Sequence, residues 1–343
     1  MERFASTAKS EIRPMNRGLC ATGRRAILVA ALAAAVAWSP AVAQYPQKTI
    51  RLIVPNVAGG TPDIVARSVE PHLSDGLGQR VVIDNRPGAG GLIAMELAAK
   101  APADGYTLVI GGTSTFAIAP AIHGNNAKYD ARRDFSHVGT LVRSRLILVA
   151  HPSFPSRNLS EVLALARQRP GAINYGSSGN GTAPHMFGEL FKHSAGIRLQ
   201  HVPYKGGPQS LTALIAGEVE LLVGQIPPVT PHIQSGRVRP LAVSGATRAT
   251  ALPEVPTFDE GGVKQLDVGI WYSVAGPAGL PPEITGRINK IINGALANPV
   301  LLARLASEGL EPLPSTPEEV GKFLQADIPR WAEAVRLSGA KPD

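Results

Sequence analysis

Three glycine-rich segments join an apolar strand pattern to a helical pattern, and such segments can bind anions. In the first, residues 50–67, Gly59-Gly60 lie directly before a helix that we expect to begin at Thr61 or Pro62. Thr61 would cap this helix with its hydroxyl, and Pro62 suits the first helical position because its missing N–H would be unpaired there anyway. Glycines before a helix expose backbone N–H groups at the positive end of the helix dipole. The segment therefore predicts an anion cradle without a charged side chain, although most Gly-Gly turns are only turns.

Two further segments repeat this pattern. Residues 174–185 lead from a strand into a helix, and we count as candidate ligand groups Ser177, Ser178, Gly179, Asn180, Gly181, Thr182 and His185. The alternative is an ordinary helix cap, since serine, asparagine and threonine are the preferred capping residues. Residues 201–209 place Tyr204 and Lys205 before a third glycine pair, and Tyr204 would either pack or donate a hydrogen bond. Residues 111–115 add Thr113 and Ser114 at the carboxyl end of a strand, where open α/β sheets bind ligands.

Catalytic and metal motifs are missing from these segments. Residues 176–180 lack the second glycine of a nucleophile elbow, and residues 88–93 lack the third glycine of a dinucleotide fingerprint. His185, His193 and His201 are eight residues apart and have no metal-ligand motif around them. We therefore expect no cofactor, no metal and no enzymatic activity. Asp63 is expected to accept N–H groups of the first loop, a structural role.

The amino-terminal residues have the pattern of a signal peptide. Arg17, Arg24 and Arg25 precede an apolar run over residues 26–38, and Ala41-Val-Ala43 has the small residues of a cleavage site. We predict export by the general secretory route and cleavage after Ala43. Residues 1–43 contain six basic and two acidic residues, so their removal lowers the formal net charge from +8 to +4.

The remaining composition limits the partners and the compartment. No basic run with interleaved aromatic residues is present, so nucleic-acid binding is not expected. The single cysteine, Cys20, lies within the predicted signal peptide, so the mature chain has no disulfide and depends on its own core. A signal peptide without disulfides indicates a bacterial periplasm. We expect the mature protein to be a monomer.

Strand patterns alternate with helical patterns along the mature chain. Expected strands are 49–54, 81–84, 106–110, 146–150, 173–175, 199–202, 221–223, 241–243 and 273–276, and expected helices are 62–77, 90–99, 159–169, 183–195, 208–216, 230–235, 282–297, 299–308 and 317–338. This alternation predicts an α/β architecture with parallel-rich sheets covered by helices. Loop-rich stretches at 125–135 and 253–268 favour one domain inserted into another. We therefore predict a discontinuous lobe 1 (44–144 and 269–343), a lobe 2 (145–268) and a ligand cleft between them.

Several of these segments, taken in order, resemble the substrate-binding proteins of tripartite tricarboxylate transporters, the Bug family. The matching motifs are Tyr45-Pro46, Gly59-Gly-Thr-Pro-Asp-Ile-Val-Ala-Arg67, Asp84-Asn-Arg-Pro-Gly-Ala-Gly-Gly91, Asp104-Gly-Tyr-Thr-Leu108, Tyr175-Gly-Ser-Ser-Gly-Asn-Gly-Thr182, His201-Val-Pro-Tyr-Lys-Gly206, Leu252-Pro-Glu-Val-Pro-Thr257, and Trp271 with Pro277-Ala-Gly279. The resemblance implies a two-lobed periplasmic protein that closes on a small carboxylate like a Venus flytrap. It also implies that loops matching residues 57–63 and 177–182 hold the carboxylate through backbone N–H groups and bridging waters.

The combined prediction is a periplasmic receptor that delivers a small organic carboxylate to a tripartite permease. The expected donors are the backbone N–H groups of Ala58, Gly59 and Gly60 and the groups of Ser177, Ser178, Asn180 and Thr182, with Trp271 lining the pocket. An orphan sensor that docks on a signalling receptor, and a hydrolase using residues 177–182 with His185, are the alternatives.

Two positions depart from the family pattern. Asn56, beside Val57, stands where many members have an aromatic residue, and Gln225 follows a strand where many members carry an acidic residue. A site that binds a ligand ammonium group would be expected to have a carboxylate at this position, so Gln225 argues against amino-acid ligands.

Overall fold

The computed structural model describes residues 45–340. The predicted signal peptide, its cleavage site after Ala43 and Cys20 lie outside these residues. The helices are α1 (Thr61–Leu77), α2 (Leu92–Ala99), α3 (Ala119–His123), α4 (Leu159–Gln168), α5 (Ala183–Ala195), α6 (Gly207–Ile215), α7 (Ile226–Gln234), α8 (Pro282–Ala295), α9 (Pro299–Ser307) and α10 (Pro317–Ser338). Within the described part of the chain, no helix is long and apolar enough to span a membrane.

Ten strands form two sheets that share one strand. The strands are β1 (Ile50–Val54), β2 (Val81–Asn85), β3 (Thr107–Gly112), β4 (Phe135–Ala150), β5 (Asn174–Ser177), β6 (Gln200–Pro203), β7 (Leu221–Gln225), β8 (Arg239–Val243), β9 (Gly269–Pro277) and β10 (Leu310–Pro312). The order along the main path is β2-β1-β3-β9-β4-β7-β5-β6, and β8 and β10 both pair with β4. Flanking helices cover these sheets, which gives a mixed α/β fold.

The long strand β4 belongs to both sheets. Its residues up to Arg145 pair with β9, and those from Leu146 onward pair with β7. The sequence predicted only residues 146–150 as strand, because the earlier half contains polar residues such as His137 and Arg143 that interrupt the apolar run. Since the change of partner falls between Arg145 and Leu146, β4 physically links the two sheets.

The expectation of parallel sheets holds for only part of the structure. β1 pairs in parallel with β2 and β3, and β5 with β6 and β7. β4 runs antiparallel to its neighbours β9 and β7, and β9 also runs antiparallel to β3. A buried strand has the same continuous apolar pattern in either orientation, so the sequence did not show this difference.

Proline and glycine explain where the helices begin. Pro62, Pro184 and Pro208 lie in the first turns of α1, α5 and α6, as a missing N–H allows. Helix α2 begins two residues later than the expected Gly90, because residues 88–91 all have positive φ and cannot continue a right-handed helix.

The predicted cap of α1 is wrong. Thr61 is the first helical residue, and Gly60 holds the extended N-cap position with φ −75° and ψ 160°. No side chain caps this helix, since a hydroxyl caps from the N-cap position and glycine has none.

Candidate functional site

A cavity of about 550 Å³ lies where the carboxyl ends of several strands meet the amino ends of helices. Its wall comes from the strand-to-helix connections after β1, β2, β3, β5 and β6, together with Gln225 and Tyr272. Both sheets contribute, because β1, β2, β3 and β9 belong to one sheet and β5, β6 and β7 to the other. A volume of this size suits a small-molecule ligand.

The charge on the cavity wall is of one sign, positive. Among the lining residues that the structure describes, Lys205 is the only charged one, and no aspartate or glutamate is present. The helices α1, α2, α5 and α6 begin beside the cavity, at Thr61, Leu92, Ala183 and Gly207. Helix amino ends carry a partial positive charge, so the wall favours an anion over a cation.

The β1–α1 loop is held largely by its own hydrogen bonds. The buried Asp63 carboxylate accepts the Gly59 N–H at 2.9 Å, as its predicted role requires. The Val57 N–H bonds the Asn56 Oδ1 at 2.8 Å, and the Gly60 N–H bonds the Val57 carbonyl at 3.3 Å. Within residues 45–340, no acceptor contacts the Ala58 N–H. Of the three donors expected in this loop, the structure leaves the Ala58 N–H available.

The β5–α5 loop is braced by its first serine. Ser177 is fully buried, its Oγ lies 2.7 Å from the His201 Nε2, and it accepts the Gly179 N–H at 3.2 Å. The Thr182 hydroxyl donates to the Gly179 carbonyl at 2.7 Å. Within the described residues, no acceptor contacts the Ser178 N–H. The loop is thus preorganised and presents the Ser178 N–H beside the cavity.

Ser114 reaches across from the other sheet to the start of α5. The Ala183 N–H donates to the Ser114 Oγ at 3.2 Å, and Thr182, the N-cap residue, makes no side-chain cap. Ser114 follows β3, so this bond joins the two walls of the cavity.

The predicted site residues fall into two groups. Those on the cavity wall are Asn56, Val57, Ser114, Ser178, Gly179, Asn180, Thr182, Tyr204 and Gln225. Those off the wall are Ala58, Gly59, Asp63, Thr113, Ser177, Gly181, His185 and Trp271, while Gly60 borders a smaller space next to the cavity. Most of the second group supports the first from behind.

Trp271 and Thr113 belong to such a support. The Trp271 Nε1 donates to the Asp327 carboxylate on α10 at 2.5 Å, and the Thr113 hydroxyl donates to the same oxygen at 3.3 Å. The indole ring stacks on Phe116 with centroids 6.2 Å apart. Burial raises the pKa of Asp327, while the bond from Trp271 opposes that rise. This cluster ties the end of β3, where the cavity wall continues, to the carboxyl-terminal helix.

The sequence reasoning missed one loop and one side chain of the wall. Residues 87–91, after β2, line the cavity, and Ala89 has a positive φ of 47°. Their glycines lack the spacing of a dinucleotide fingerprint and match a family motif, but a glycine-rich strand-to-helix turn is itself the signal that would have marked this loop as part of the wall. Tyr272 lies inside the apolar strand β9 and had no signal in the local sequence.

Two of the three evenly spaced histidines pack together behind the β5–α5 loop. The rings of His185 and His201 stack with centroids 3.9 Å apart and planes 6° apart. Burial, the nearby His185 and Lys192 lower the pKa of His201 to about 3. His193 is exposed on α5. Ser177 contacts His201 and is inaccessible, so a hydrolase built on Ser177 and His185 has no support in this geometry.

This depressed pKa predicts a loss of stability at mildly acidic pH. Unfolded histidine takes up a proton near pH 6.5, whereas folded His201 stays neutral down to about pH 3. Between these values the unfolded state binds more protons, so stability is complete above pH 6.5 and decreases as the pH falls. Melting temperatures at pH 7.5, 6 and 5 should fall less steeply for His201→Gln than for the wild type. The exposed His193→Gln serves as control, and equal slopes for all three proteins would contradict the prediction.

The fold and the cavity define the class: a two-lobed periplasmic solute-binding protein. The sequence profile of the protein family described as 'tripartite tricarboxylate transporter family receptor' matches residues 65–339 of this chain. The chain belongs to this family of periplasmic receptors, as its motifs suggested.

Individual relatives agree with this assignment. The protein BugT of Bordetella pertussis is 34% identical over 302 residues, covering 87% of this chain and 91% of BugT. The structure of the R. palustris protein Rpa4515 with adipate is 35% identical with a TM-score of 0.84, covering 87% of this chain and all of that one (100%). The structure of MatC from Rhodopseudomonas palustris with bound malate is 29% identical with a TM-score of 0.80, covering 85% of this chain and 100% of that one.

Proposed function

We propose that this chain binds a small organic carboxylate in the cavity and delivers it to the membrane subunits of a tripartite permease. The observation that carries the proposal is the charge of the wall, which has Lys205 as its only charged side chain among the described residues and no carboxylate. A ligand anion in this cavity meets donors and helix amino ends without like-charge repulsion.

The binding contacts come from backbone and neutral side-chain donors. A carboxylate that leaves water must regain several hydrogen bonds, or its burial costs several kcal/mol. We assign this role to the N–H groups of Ala58 and Ser178, which have no acceptor within residues 45–340, and to the nearby side-chain amide of Asn56. The two N–H groups lie on loops from different sheets, so one carboxylate bound by both would hold the walls together.

Closure of two lobes would complete the site. We propose lobe 1 as 44–144 with 269–343, and lobe 2 as 145–268. The change of partner along β4 between Arg145 and Leu146 supports this division. Short connections at such a crossing can act as a hinge while each sheet remains rigid.

The bound ligands of two similar proteins support the ligand class. Rpa4515 was solved with adipate and MatC with malate, and both are dicarboxylates. We therefore place di- and tricarboxylates first among the candidates for this chain.

A thermal-shift screen of the purified protein tests the proposal. Adipate, malate, succinate, citrate and benzoate would be added separately, with their uncharged amides as controls. A ligand at 100 times its Kd stabilises the folded state by about 2.7 kcal/mol, a rise of roughly 5–10 °C in Tm. Failure of every carboxylate to raise the Tm would refute the proposal, and capture of membrane proteins with and without the bound ligand would separate a permease partner from a signalling receptor.

A further inference from the structure

One hydrogen bond across the cavity fixes the orientation of a side-chain amide. The Tyr272 hydroxyl donates to the Gln225 Oε1 at 2.7 Å, and both residues line the cavity. Tyr272 lies in β9 of one sheet, and Gln225 ends β7 of the other. The bond therefore joins the two walls as well as orienting the amide.

Tyr272 is rigidly placed and must act as the donor. Its backbone pairs with Gly112 on one side and Val142 on the other, and the residue is only 7% exposed. Burial raises the pKa of its phenol, so the group keeps its proton at physiological pH. With the amide flipped, the phenol would accept from the Nε2 and its own proton would lose its acceptor, which is unfavourable in a buried position.

Gln225 then has two N–H donors to offer. Although it is the N-cap residue of α7, its side chain makes no cap hydrogen bond. No acceptor among residues 45–340 contacts its Nε2. Gln225 also borders the smaller space shared with Gly60 and Ser178, so it lies near the two loops to which the proposed carboxylate binds.

We propose that Tyr272 is a positioning residue that directs the Gln225 amide nitrogen toward the ligand, so that the site selects carboxylates without a neighbouring ammonium group. An α-hydroxyl or a second carboxylate oxygen can accept from this nitrogen, whereas an α-ammonium has only donors and faces it unfavourably. The absence of any aspartate or glutamate from the described wall leaves an ammonium without a counter-charge. This inference rests on the proposed carboxylate function and specifies its ligand class.

Titration calorimetry with matched ligand pairs tests this inference. The probes are malate against aspartate and adipate against 2-aminoadipate, since each pair differs at one substituent beside a carboxylate. The wild type should bind the amino-free member of at least one pair more tightly, by on the order of tenfold. In Tyr272→Phe the amide can rotate, so we expect the Kd of the amino-free ligand to rise about three- to tenfold and the ratio within the pair to shrink.

Gln225→Glu supplies the opposite test, because it places a carboxylate where the amide was. It should weaken the amino-free ligand and favour the amino acid, shifting the ratio by more than about tenfold. The control is Tyr106→Phe. The Tyr106 hydroxyl accepts the Gln47 N–H away from the cavity, so its removal should leave the Kd values of both ligands of a pair unchanged. Circular-dichroism melting would confirm that each variant is folded.

The outcomes separate the two proposals. If the wild type binds adipate or malate but Tyr272→Phe and Gln225→Glu change both members of a pair equally, the positioning role is wrong and the carboxylate function stands. Tighter binding of the amino acids by the wild type also overturns the inference. If the wild type binds none of the four probes and no other carboxylate, the proposed function fails first and this inference fails with it.

Discussion

Asp63→Ala is expected to destabilise the protein by about 3 kcal/mol and to weaken carboxylate binding at least tenfold. The Asp63 carboxylate is 2% exposed and accepts hydrogen bonds from the Gly59 N–H and the Arg67 Nε, each at 2.9 Å, and from the Asn85 Nδ2 at 3.1 Å. Its removal takes the shared acceptor away from all three donors, and bonds to a charged group are each worth about 1.5–3 kcal/mol. Water replaces part of this loss at Gly59 and Arg67, which are exposed. At this chain length the loss corresponds to a fall of roughly 10 °C in Tm.

The loss of affinity follows from the same bonds. The Gly59 N–H and the Asn85 amide, which also bonds the Asn56 carbonyl at 3.0 Å, hold the β1–α1 loop in the shape that presents the Ala58 N–H. A loop that is free to move must be ordered again by the ligand, and that cost reduces the observed affinity. Denaturation and calorimetry on one preparation would measure both effects.

The ionisation of Asp63 sets the pH range for this test. Burial alone would raise the pKa of Asp63, but the hydrogen bonds from Arg67, the Gly59 N–H and Asn85 together lower it below 3.8. A carboxyl with a lowered folded pKa stabilises fully above its unfolded pKa and loses that contribution as the pH falls through the folded value. Measurements at pH 7 therefore see the whole effect. Asp259→Ala, which removes an exposed pair with Lys264, is the control and should change stability by less than about 0.5 kcal/mol.

The parts of the fold that local chemistry controls could be predicted. Helix α5 has the predicted bounds, and α10 also begins and ends where the sequence indicates, because proline and capping residues mark their starts and glycine follows their ends. The strand-to-helix loops after β1 and β5 were recognisable for the same reason. The family motifs then joined these local signals into a two-lobed fold.

The parts that depend on tertiary partners could not be predicted. Thr113 meets Asp327 at a separation of 214 residues, and nothing near either residue indicates the contact. The Tyr272–Gln225 bond likewise requires β9 and β7 to face each other across the cavity. Strand direction was also hidden, since the antiparallel placement of β4 and β9 depends on how the chain passes between the sheets.

Gly206→Ala is expected to weaken carboxylate binding at least tenfold, because it blocks the approach of two loops that close the cavity. Gly206 is the N-cap of α6, with φ +112° and ψ 165°, a conformation that essentially only glycine adopts. A Cβ at this position would lie 2.7 Å from the Val57 Cγ2 in the β1–α1 loop of the other sheet. The variant must therefore relieve backbone strain of about 1–3 kcal/mol and separate the loops.

A matched glycine separates the backbone strain from the obstruction. Gly171 also has a positive φ, +79°, but a Cβ there would meet nothing within 4 Å. Gly171→Ala should lower the melting temperature through backbone strain and leave the ligand Kd unchanged. Weakened binding in both variants would mean that strain alone is responsible, and the role of Gly206 in closure would be wrong.

The decisive comparison is the double variant Val57→Ala with Gly206→Ala. Removing the Val57 Cγ2 takes away the atom that the new Cβ would meet, while the backbone strain at residue 206 remains. If obstruction weakens binding, the double variant should recover affinity relative to Gly206→Ala but keep its lowered melting temperature. Such non-additivity is expected for side chains in direct contact. If the double variant instead binds as weakly as Gly206→Ala, the effect of Gly206 lies in the local backbone, and closure of the cavity does not depend on this contact.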